Sequence, residues 1–70
     1  MVDVRDFAVL IEDDRYSVSG LRFIQARSEA AAVRIADRIL HESSHYHGVE
    51  VWASDSLVYA THDNGPPQAA

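Results

Sequence analysis

Cysteine is missing from this chain, and so is lysine. Without thiols there is no disulfide framework and no thiolate metal site, so stability rests on packing alone and no redox compartment follows. All six cations are arginines, set against eleven carboxylates, for a net charge of −5. That balance opposes long-range attraction to a phosphate backbone, and no nucleic-acid partner is expected. No apolar run approaches the roughly 18 residues of a membrane span. The N-terminus carries no basic segment followed by a long apolar stretch, so no membrane partner and a cytoplasmic location are the expectations. The three glycines form no phosphate-binding loop, and no cofactor is expected.

What is present is a globular composition, 47% apolar against 24% charged. Seventy residues make one domain near the lower size limit, where only about 60% of the unfolded chain's surface is buried on folding. A second chain would supplement such a core. The domain is expected to span 1–61. The segment 62–70, with Asp63-Asn64-Gly65-Pro66-Pro67 and almost nothing to bury, is expected to be a disordered tail.

Phe7-Ala8-Val9-Leu10-Ile11 is bounded by acidic residues and predicts a strand apolar on both faces. Asp13-Asp14 fits a tight turn, after which Tyr16-Ser17-Val18 resumes an extended pattern. In the next strand Leu21 and Phe23 share a side, while Ile24 and Ala26 fall out of phase with them, which predicts a bulge at Gly20 or at the Phe23-Ile24 step. Ser28 offers an N-cap, Glu29 puts negative charge in the first turn, and three alanines follow, so a helix is predicted over about 28–45. Ala32, Val33, Ala36, Ile39 and Leu40 form its apolar stripe, with Ile35 at the edge. Val49–Ala53 and Leu57–Thr61, separated by Ser54-Asp55-Ser56, predict a second hairpin.

The order ββαββ predicts a two-layer α+β fold: a four-stranded, mainly antiparallel sheet, with the first strand central and one helix on one face. One helix covers only one face. A homodimer packing sheet against sheet, or sharing an edge, would cover the other, and the interface candidates are Ala8, Leu10, Trp52 and Tyr59. Trp52 and Tyr59 lie on facing strands, where stacking across the hairpin is the structural reading and a ligand or partner platform the functional one. By alternation Glu50 shares the face of Trp52.

His41-Glu42-Ser43-Ser44-His45 resembles the H-E-x-x-H pattern of zinc metalloproteases, in which two histidines one helical turn apart grip the ion and the Glu polarises its water. On the predicted helix both histidines point away from the apolar stripe, and Arg34 and Arg38 share their outer face, which repels a cation. The flanking residues depart from that family, with Ser43 and Ser44 where bulky residues are usual and His47 where a hydrophobic one is. Peptidase activity is therefore not expected. A metal set of His41, His45, His47 and His62 is the alternative to solvated histidines at a helix C-terminus, where partial positive charge is favourable. Asp13, Asp14 and Asp55 suit turns better than acid/base pairs. The serines lack a base and an orienting acid, so no catalytic residue is assigned.

Ser28-Glu29-Ala30-Ala31, the alanine-rich helix and Gly48-Val49-Glu50-Val51-Trp52 running by a short turn into Leu57-Val58 together resemble small uncharacterised proteins common in alphaproteobacteria. The resemblance covers about half the chain and implies a compact helix-on-sheet fold with no established activity. The expected function is a non-enzymatic interaction module, homodimeric or with another protein partner. The alternative is a small metal- or ligand-binding protein using the histidines.

Overall fold

A computed structural model describes residues 3–62. Its elements run β1 (Arg5–Asp13), β2 (Gly20–Ala26), α1 (Glu29–Leu40), β3 (Tyr46–Ala53) and β4 (Ser56–His62). The strands form one sheet in the order β2-β1-β3-β4, with every neighbouring pair antiparallel. This is the two-layer ββαββ arrangement that the hydrophobic pattern predicts. β1 is central, and the connection from β2 through α1 to β3 passes over it, so the helix lies across the sheet and packs mainly on β3.

The core follows from alternation. Phe7, Val9 and Ile11 of β1, Ala26 of β2 and Val49 and Val51 of β3 are buried beneath Ala32, Ala36, Ile39 and Leu40 of α1. Period two on the strands meets a stripe of period 3.6 on the helix, and alanines in the middle of that stripe let it approach the valines closely. Ile24, Ile35, Val58 and Tyr59 pack around the rim of this core.

Helix α1 starts where expected. Ser28 has extended backbone angles, its Oγ accepts the N–H of Ala31 at 3.1 Å, and its carbonyl accepts from Ala32 at 3.0 Å. The predicted end at about 45 is corrected: the helix stops at Leu40 and His41 is its C-cap. The reason is local competition for hydrogen bonds. The N–H of Glu42 turns to the carbonyl of Ile39 at 2.9 Å, the Ser43 hydroxyl accepts from the N–H of His45 at 3.1 Å, and the Ser43 carbonyl accepts from Tyr46 at 3.2 Å. Short hydroxyl side chains offer the backbone these alternatives to another helical turn.

The predicted bulge in β2 is also corrected. Pairing with β1 is regular from Arg5↔Ala26 to Ile11↔Gly20, so β2 is simply two-faced: Ile24 and Ala26 sit under the helix while Leu21 and Phe23 are exposed on the far side. Tyr16-Ser17-Val18 does not resume a strand; β2 begins only at Gly20. The irregularities lie elsewhere. Between Glu12 and Asp13 the register passes over His47 in β3, and between Val51 and Trp52 it passes over Val58 in β4. His62 closes β4 rather than opening a tail. Positions 63–70 lie outside the described residues.

Candidate functional site

Among the described residues, one face of the sheet lies under α1 and no element covers the other. Register assigns the open face. Phe23, Ala8, Trp52 and Leu57 form one row across β2, β1, β3 and β4, and Leu21, Leu10, Glu50 and Ala60 form the next. Leu21, Phe23 and Leu57 are 56%, 73% and 51% exposed. Single exposed apolar side chains are ordinary, but Leu21 and Phe23 are neighbours on β2, and half-buried Ala8 and Trp52 connect Phe23 to Leu57 on the opposite edge, so the apolar surface is contiguous.

Polar groups punctuate this surface. Trp52 donates its indole N–H to Oε1 of Glu50 at 3.0 Å, a contact made possible because residues two apart on a strand project from the same face. Gln25 donates to Asp6 across the β1–β2 pair at 3.0 Å. Of the four interface candidates, Ala8, Leu10 and Trp52 lie on the open face. Tyr59 does not: it pairs with Val51 and packs on the core. The extra residue Val58 shifts the phase of β4, which places Tyr59 and Trp52 on opposite faces and rules out the expected stack. Leu21, Phe23 and Leu57 are the residues that pattern reading left out of the candidate surface. The signal for Leu21 and Phe23 is their alternation against Ile24 and Ala26; Leu57 reaches this face through the register shift at Val58.

The histidines are arranged differently from the H-E-x-x-H expectation, because the helix ends before the string is complete. His41 is exposed and its Nδ1 lies 2.8 Å from the Asp37 carbonyl one turn back. His45 sits in the turn after the helix, and His47 is the extra residue of β3. Those two meet on Asp14, at the end of β1. Nδ1 of His45 lies 2.9 Å from Oδ1, and Nε2 of His47 lies 2.8 Å from Oδ2. A carboxylate only accepts when ionised, so each ring carries its proton on the nitrogen facing Asp14. The His47 bond, then the His45 bond, holds the Asp14 carboxyl below its usual range. Asp14 is thus both a turn residue and the clamp that ties the β1 end to the β3 start, reinforced by its own N–H donating to the His45 carbonyl at 2.9 Å.

Next to it, Asp13 accepts from Arg15 through the backbone N–H at 2.9 Å, Nε at 3.0 Å and Nη2 at 2.7 Å. This forked contact lowers the Asp13 carboxyl to about 2 and raises the Arg15 guanidinium further. Both imidazoles converge on a carboxylate rather than on a common point. Among the described residues no group of three or more histidines and carboxylates is placed to hold a metal ion. A cavity of about 200 Å³ lies between Ile11, Tyr16, Val18, Gly20 and Tyr46, below the roughly 300 Å³ at which small-molecule sites begin. Among the described residues no helix is long and apolar enough to cross a membrane.

Comparison with protein-family models, curated proteins and solved structures finds no match. The geometry of the open face therefore has to carry the functional reading by itself.

Proposed function

We propose that the protein is a non-enzymatic interaction module and that its open sheet face is the contact surface, covered by a second copy of the chain. The observation that carries this reading is the apolar row Phe23–Ala8–Trp52–Leu57 beside Leu21 and Leu10, with Leu21, Phe23 and Leu57 more than half exposed. Four strands about 4.8 Å apart, each contributing about five residues at 3.3 Å, present a flat area of about 320 Å², so two such faces in contact remove roughly 600–1,000 Å² from water once the relief of the side chains is counted. Only the upper end of that range meets the lower bound for a specific interface, so a reversible dimer is expected. Sheets stacked face to face at about 10 Å would interleave the large side chains with Ala8 and Ala60, the small ones of the same rows.

The test is sedimentation velocity from about 5 to about 500 µM, a range chosen for interfaces at the small end of the scale. The mass should rise from the 7.8 kDa of the single chain toward twice that value. A single-chain mass throughout would remove the second copy as occupant of the face.

A further inference from the structure

Glu50 stands between apolar neighbours on the open face, paired with Leu10 on one side and Ala60 on the other. It is part-buried, and its Oε1 holds the indole N–H of Trp52. Among the described residues the other carboxylates at open-face positions are Asp6 and Glu12, both on β1. None of the six arginines occupies an open-face strand position. Arg5 and Arg22 pair in register with the buried Ala26 and Val9, Arg15 lies in the turn after β1, Arg27 precedes α1, and Arg34 and Arg38 are on α1. This side of the sheet is therefore both apolar and anionic.

Resting on the reading of this face as the contact between two copies, we propose that the Glu50–Trp52 pair gates that contact. The Glu50 oxygen is needed and its charge is not. Covering the face takes the Trp52 N–H out of water, and a donor left without an acceptor opposes burial. Covering it also removes an ionised carboxylate from water, and a symmetric interface brings two such groups together. A neutral side chain that keeps the acceptor satisfies the first requirement and removes the second.

Two variants separate these roles. Glu50→Gln retains a carbonyl oxygen at the same reach, and its dimer dissociation constant should fall by about tenfold or more relative to the unsubstituted protein. Glu50→Ala removes charge and acceptor together, and should bind at least about tenfold more weakly than the Gln variant. Both are read by sedimentation equilibrium, with thermal unfolding at low micromolar concentration confirming that each variant is folded. A Gln variant no tighter than the unsubstituted protein would overturn the charge role, and an Ala variant as tight as the Gln variant would overturn the acceptor role, in either case with the dimer itself intact. No association of any of the three at millimolar concentration would instead overturn the underlying reading of the face.

Discussion

Replacing Phe23 by threonine should separate folding from the proposed association. Phe23 lies on edge strand β2 and is 73% exposed. A phenylalanine side chain offers about 200 Å² for burial, so about 150 Å² remains available to a partner and about 50 Å² is already covered. At about 25 cal/mol per Å², the covered part is worth no more than about 1 kcal/mol to the single chain, and threonine keeps the preference for extended backbone. Covering half to all of the remainder is worth about 2–4 kcal/mol per copy, of which threonine's methyl group retains about a third. Two copies in a symmetric dimer then lose about 3–5 kcal/mol, or two to three and a half orders of magnitude in dissociation constant. Sedimentation equilibrium reads the association, and thermal unfolding at low micromolar concentration reads the fold. Unchanged association, or a loss of association that merely follows a collapse of single-chain stability, would show that Phe23 is not part of a contact between copies.

Three further outcomes follow from local geometry. Ser28→Ala removes the N-cap acceptor of Ala31 and should cost about 1 kcal/mol, seen as a midpoint lowered by roughly 4–8 °C. Ser54 has φ 57° in the two-residue turn closed by the Ala53↔Ser56 pair, so Ser54→Gly should stabilise the hairpin by about 0.5–1 kcal/mol in urea titrations. The carboxyls of Asp13, at about 2, and Asp14, below its usual 3.8, are depressed in the folded protein. The unfolded chain therefore binds more protons through that range, and stability present above about pH 4 is lost as pH falls toward the folded values. Unfolding midpoints followed from pH 6 to 2 should decline along this course, and Asp14→Asn should flatten the decline.

The parts of the fold legible in the sequence were those governed by strict period. Phe7–Ile11 announced a strand apolar on both faces, and Ala32, Ala36, Ile39 and Leu40 announced the buried stripe. The open face was half legible. Alternation places Ala8, Leu10 and Trp52, but Leu21 and Phe23 run out of phase with Ile24 and Ala26, a pattern that fits a bulge in a one-faced strand as well as the two-faced strand that exists. The actual irregularities lie at His47, beside Gly48, and at Val58, where no glycine or proline marks the extra residue that carries Tyr59 to the core side. The helix end was misplaced because Ser43 satisfies the backbone of the following turn, a competition invisible to helical phase. Asp14 was legible as a turn residue. Its pairing with His45 and His47 joins positions more than thirty residues apart and depends on the sheet register, which no local pattern specifies.

On the proposal made above, the side of the sheet away from α1 is where this protein meets a second copy. The most direct test is to compare amide and methyl NMR spectra at about 20 µM and about 1 mM, concentrations that bracket a small, reversible interface. Resonances of Ala8, Leu10, Leu21, Phe23, Trp52 and Leu57 should shift with concentration, with those of Arg34 and Arg38 on the helix unmoved. Shifts gathered on the helix instead, or spectra identical at both concentrations, would contradict the proposed contact.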